Sequence, residues 1–209
     1  MNQEAPTLCV DPFEGEALIG FARRDITPPF GIYGRMWGAS NHDKSEGSHK
    51  PLYVTAMAFR DGAGSTPALL VGIDAASLGD LAGREGIEIR AAVLDATGVP
   101  NSHLMLACSH THASPWAARS RAHMPGGELI EPYLAMVISA IINACKEALD
   151  AMSESIITFA QGSCSLASNR DNYSTGFSWL SCPLVATTRF RSPVPSQINQ
   201  PLGSNGGPQ

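Results

Sequence analysis

His110 and His112, one residue apart, carry the clearest chemical potential in this chain. They lie near the end of residues 103–116, which read H-L-M-L-A-C-S-H-T-H-A-S-P-W. The apolar run Leu104, Met105, Leu106, Ala107, Cys108 predicts a buried strand over 103–112, and Ser114-Pro115 a turn after it. Side chains alternate faces along a strand, so both imidazoles are expected on one face at its C-terminal end. Two such imidazoles can converge on one metal ion or on one substrate. Neutral imidazole nitrogens bind zinc at ~2.0–2.1 Å, and a catalytic zinc takes about three protein ligands and a water. Hydroxide formed there attacks a carbonyl carbon while the metal polarises the carbonyl oxygen. The competing reading is a pair of core or loop histidines held by hydrogen bonds, the commoner state of an arbitrary His-x-His. The strand-end position favours function, because open α/β sheets bind ligands beyond the carboxyl ends of their strands.

Other residues can share that edge. Asp74 closes the strand before the next helix and can orient an imidazole. It serves equally as a helix N-cap or turn residue. Asn169-Arg170 leaves a later strand and can bring a guanidinium to bind an oxyanion or head group, or sit solvated. Arg24 and Asp25 read as surface charges. His42 and His49 lie in one long loop and His123 in another, and nothing in the sequence fixes them at the site. The chain has no glycine-rich phosphate loop, nucleophile elbow or His-Glu-x-x-His.

The elements that must position these residues alternate in type. Residues 17–26 read as a strand stopped by Pro28-Pro29. Residues 52–60 and 68–74 read as two strands joined by a glycine-containing turn, an antiparallel hairpin. Residues 81–97 predict a helix with Ile87, Ala91 and Leu94 on its apolar stripe and Gly98 at its stop. Strand, helix, strand from 68 to 112 makes a βαβ unit with parallel strands. Leu134, Val137, Ile138, Ile141, Ile142, Cys145 and Leu149 mark the strongest helix, with Pro132 in its first turn. Residues 155–160 read as a further strand. The expected fold class is α/β: a mixed sheet with an antiparallel hairpin and βαβ units, helices packed on it. The loop over 31–49 is long for an unstructured connection. It is either functional or a surface excursion pinned by Trp37.

Composition narrows the partners. The chain has 209 residues, 44% of them hydrophobic, enough for a globular core. A net charge of -5 gives no reason to expect nucleic acid or an anionic membrane. The apolar stretch 134–149 is broken by Ser139, Asn143, Lys146 and Glu147, so no transmembrane segment is expected. The start lacks the basic and apolar regions of a signal peptide, so the sequence as it stands reads as cytoplasmic. Five scattered cysteines read as free thiols, mostly core fillers. The expected organisation is a flexible arm over 1–16, a domain over 17–171 and a divergent, disordered tail over 172–209. The 38 tail residues hold no Asp, Glu or Lys and five prolines. A break this abrupt is either a natural tail or the mark of a reading-frame shift.

Four motifs carry a resemblance. G-F-A-R-R-D-I-T-P-P, V-G-I-D-A-A-S-L, C-S-H-T-H-A-S-P-W and S-N-R-D, in that order, resemble the N-terminal catalytic domain of the neutral/alkaline ceramidase family. The resemblance implies a zinc-dependent amide hydrolase that splits N-acylsphingosine into sphingosine and a fatty acid. It makes His110 a metal ligand for one Zn2+, places His112 against the substrate or the zinc-bound oxygen, and brings Arg170 to the active centre. It implies a ceramide-like or other N-acyl lipid as substrate, and a family often secreted or membrane-associated. Ala113 and Trp116 depart from the small residues usual around that turn, so the pocket mouth differs. The family's remaining zinc ligands lie further along a longer chain, and no histidine follows His123 here. Expectation therefore divides among an N-terminal portion of such an enzyme, a truncated or frame-shifted non-catalytic product, and a small lipid-binding module.

Overall fold

The computed structural model describes residues 14–36, 40–79, 83–162 and 185–191. Eight main elements follow one another: β1 (Glu14–Asp25), β2 (Tyr53–Arg60), β3 (Ala68–Ile73), α1 (Arg84–Thr97), β4 (Leu104–Cys108), α2 (Ile130–Asp150), β5 (Ser153–Gly162) and β6 (Val185–Arg191). The chain divides into two compact units. One is Ala17–Ser153, and the other combines Met1–Glu16 with Glu154–Gln209.

In the larger unit the strands run in the order β4-β3-β2-β1. β1 pairs antiparallel with β2, and β2 with β3, with Val54 opposite Ile73. β3 and β4 are parallel, with Ile73 opposite Cys108. The hairpin and the βαβ unit expected from the pattern are both present, and the fold is mixed α/β. Alternation does the sorting on the sheet. Val54, Ala56 and Ala58 of β2, with Leu69, Val71 and Ile73 of β3, are buried on one face. α2 lies against that face through Tyr133, Leu134, Val137, Ile141 and Cys145. Gly20 of β1 permits the close approach, since a Cβ there would overlap the Ala148 carbonyl oxygen.

α2 lies within Gly127–Asp150, the stretch among the described residues long and apolar enough to cross a membrane. Here its stripe is core. Burial pushes the Cys145 thiol up to about 11 and raises that of half-buried Cys108. Both are free, as the scattered spacing suggests, while Cys9, Cys164 and Cys182 lie outside the described residues.

α1 corrects the expected stripe. It starts at Arg84 after left-handed Gly83, and its buried residues are Glu85, Ile89 and Val93. Ile87 and Ala91 face outward, Ile87 being 68% exposed. Two isoleucines two residues apart cannot share one helical face, and tertiary packing selected the stripe that also lets Glu85 accept a hydrogen bond from the Arg119 N–H. Gly98, left-handed, closes the helix as expected, its N–H donating to the Leu94 carbonyl.

In the other unit β5 pairs antiparallel with β6. β6 falls in a stretch for which the sequence pattern predicts no element. Val185, Thr187, Thr188 and Phe190 nonetheless suit a strand by β-branching and aromaticity.

Candidate functional site

β4 ends at Cys108, four residues before the expected end, and a 3-10 turn (Asn101–His103) occupies its expected start. Strand alternation therefore does not reach the histidines. Backbone pairing continues past the strand in another form. The Ser109 N–H donates to the Ile73 carbonyl and the His110 N–H to the Ala75 carbonyl, at 2.9 and 3.0 Å. His110 then takes a left-handed conformation, φ 57°. Such a φ is uncommon for a non-glycine residue, with His among the more tolerant types, and strain of this kind clusters at functional sites. The turn, not the strand, brings the rings together. Their centroids are 5.1 Å apart with planes 78° apart, edge to face.

Ala76 holds this segment through both of its backbone polar groups. The His110 Nδ1 lies 2.9 Å from the Ala76 carbonyl oxygen. A carbonyl only accepts, so Nδ1 carries the proton and the ring's lone pair sits on Nε2. The Ala76 N–H donates to the Ser114 hydroxyl at 2.9 Å, and that hydroxyl donates to the Thr111 carbonyl. Ser114 is buried, which gives these bonds a low-dielectric setting. Further along, the guanidinium of Arg119 reaches Glu88 of α1 and Glu131 of α2. The paired guanidinium holds the Glu131 carboxyl below its ordinary range, and the carboxylates raise Arg119 in turn.

Asp74 has a different task from the one its position suggests. Its Oδ2 accepts from the Tyr53 N–H, and its own N–H donates to the Tyr53 carbonyl, fastening the open end of β2 and β3. This is its turn role. Hydrogen bonding to the Thr27 side chain, and then to the Thr27 N–H at 2.7 Å, lowers the Asp25 carboxyl pKa, and Arg24 pairs with Glu147 at the surface.

The long first loop returns to the site. Gly31, Ile32 and Gly34 bond the backbone of Asp43 and Ser45, and Tyr33 bridges Lys44. Ile32 and Tyr33 are buried and pin the loop's base, whereas Trp37 lies outside the described residues. The Tyr33 N–H donates to the carbonyl of left-handed Gly126. The remainder faces His112 across a cleft of about 590 Å³, whose lining includes His42, Lys44, Glu46, His49, Lys50 and His112. So His42 and His49, left unplaced by the sequence, share a cavity with His112. Exposed His123 does not line it. Arg170 and Asn169 lie outside the described residues.

The donor set bears on zinc. The Nδ1-to-carbonyl bond of His110 is the arrangement in which metal-binding histidines are commonly held. Among the described residues, however, no group of three or more His, Cys, Asp or Glu side chains is placed to hold a metal ion. His110 and His112 thus offer two nitrogen donors, short of the three a catalytic zinc takes. The described residues by themselves do not make a complete zinc centre.

Sequence reasoning missed Ser114 and Ala76 as the supports of His110. The first had a visible signal, a serine four residues after the histidine. The second acts through backbone atoms, which sequence does not mark.

No protein-family model matches this sequence, and no curated protein matches it. Solved structures do. A ceramidase complexed with C2 aligns with a TM-score of 0.58 at 19% identity, covering 71% of this chain and 23% of that one. The neutral ceramidase from Pseudomonas aeruginosa aligns with a TM-score of 0.55, also at 19% identity, covering 73% and 24%. The chain spans about a quarter of the length of these ceramidases. At this identity the likeness establishes a ceramidase-like fold, which agrees with the resemblance carried by the four motifs.

Proposed function

We propose that this chain carries part of the active centre of a ceramidase-like, zinc-dependent amide hydrolase acting on a ceramide or another N-acyl lipid. His110 is the zinc ligand, His112 contacts the substrate beside it, and Arg170 reaches the same centre. The observation that carries this reading is the His110 turn: a strained imidazole beyond the C-terminal end of a parallel strand, its Nδ1 held by a backbone carbonyl, within a ceramidase-like fold. Zinc bound there, with ligands beyond His110, would polarise an amide carbonyl and activate water. This chain's own contribution is orientation. Ala76 fixes the His110 tautomer, and the turn sets His112 at its edge.

Metal analysis of the purified chain after dialysis tests the reading. About one equivalent of zinc is expected, falling to background in His110→Ala, with fatty acid released from a short-chain ceramide by the wild type. A wild type with neither zinc nor hydrolysis overturns it. The two-donor count favours a second reading, in which this chain is non-catalytic by itself. Zinc bound in a His110-dependent way without hydrolysis would select that one.

A further inference from the structure

We propose that the cleft beside His112 receives an anionic group, so that acidic N-acyl amides, bearing a carboxylate or phosphate, bind it better than neutral ones. This rests on the amidase reading for the identity of the bond cleaved, and on the cleft alone for the charge.

The cleft volume of about 590 Å³ is that of a small-molecule site rather than a water pocket. Among the described residues, its charged lining is two lysines, Lys44 and Lys50, against one carboxylate, Glu46. That carboxylate lies 3.2 Å from His42 Nδ1, a ring nitrogen able to donate to it, and the two lysines outnumber it. Neither lysine makes an ion pair among the described residues, whereas Asp43, immediately before Lys44 in sequence, pairs with Arg35 outside the lining. The other titratable lining groups among the described residues are the imidazoles of His42, His49 and His112, which add hydrogen-bond donors and no negative charge. The serines do not compete. Ser40, Ser45 and Ser48 donate to backbone carbonyls of their own region. A cleft of positive balance on a chain of net charge -5 is a local inversion of sign, and concave walls concentrate such a field. A neutral diol head group gains nothing from two unpaired ammonium groups. An anionic one does.

Titration calorimetry on the purified chain tests this with matched ligands: N-octanoylglycine, its neutral glycinamide, and octanoate. The glycine conjugate is expected to bind about five- to tenfold more tightly than the glycinamide, the yield of two exposed charge contacts. The preference should shrink in high salt. It should vanish in Lys44→Gln/Lys50→Gln with the circular dichroism spectrum unchanged. Equal binding of conjugate and glycinamide, or a preference that survives the double variant, overturns the proposal. Octanoate binding as tightly as the conjugate overturns the assignment to an acidic amide, since a bare carboxylate would then be enough. His110→Ala separates the two readings, because it should remove zinc and leave the charge preference intact.

Discussion

Two segments wall the cleft, and they are built in opposite ways. Residues 109–114 are held at the functional side chain itself: His110 Nδ1 and the Ser114 hydroxyl both bond Ala76, and the serine is buried. Residues 40–50 are held mainly at their base, through Ile32, Tyr33 and the short backbone ladder, while Lys44, His49 and Lys50 stand in solvent. The first construction fixes a ring to within a hydrogen bond and costs backbone strain. The second offers charge without fixed geometry, which suits attracting a ligand more than reacting with it.

The comparison breaks most severely at Gly126. Its φ of 80° is disfavoured for any L side chain, and a Cβ there would overlap the Gly31 carbonyl oxygen. Gly126→Ala should therefore destabilise the chain by about 2–3 kcal/mol, combining the left-handed cost with displaced backbone. Urea unfolding measures it. If the first loop is anchored only at this base, the variant should also lose the charge preference of the cleft while keeping His110-dependent zinc.

Ser114→Ala attacks the other wall. It leaves the buried Ala76 N–H without its side-chain acceptor, a loss of about 1–3 kcal/mol. It should weaken zinc retention as well, since Ala76 is also the partner of His110. A variant as stable as the wild type, with unaltered zinc, would show that Ser114 fills space and does not support the histidine.

Much of this arrangement was legible in the sequence. The hairpin, the βαβ unit and α2 follow from apolar periodicity, because each buries a regular face. The closeness of His110 and His112 was expected, yet through strand alternation, and the structure reaches it by a left-handed turn. Pattern reasoning cannot see that turn, since no glycine or Asx residue announces it. The α1 stripe was misplaced because Ile87 and Ile89 compete for one face, and the winner depends on Glu85 and Arg119 from another segment. The meeting of His42 and His49 with His112 was open for the same reason: long-range placement of loops leaves no local mark. Arg170 remains a proposal from resemblance.

The smallest expected effect lies at the exit of the anchored segment, where Arg119 joins α1 to α2. The Glu131 carboxyl is held below its ordinary value of 4.5 by the hydrogen-bonded guanidinium. A carboxyl lowered in the folded state contributes stability above its unfolded value, and that contribution disappears as pH falls through the lowered folded value. Glu131→Gln should therefore lower the melting temperature slightly at pH 7, and the difference should close below pH 4.5. Both partners are substantially exposed, so the effect is small and screened by salt. A difference independent of pH would mean that Glu131 acts through packing. The exit of the His segment would then be fixed by the Arg119 N–H bond to buried Glu85, and its anchoring would be a backbone property at both ends.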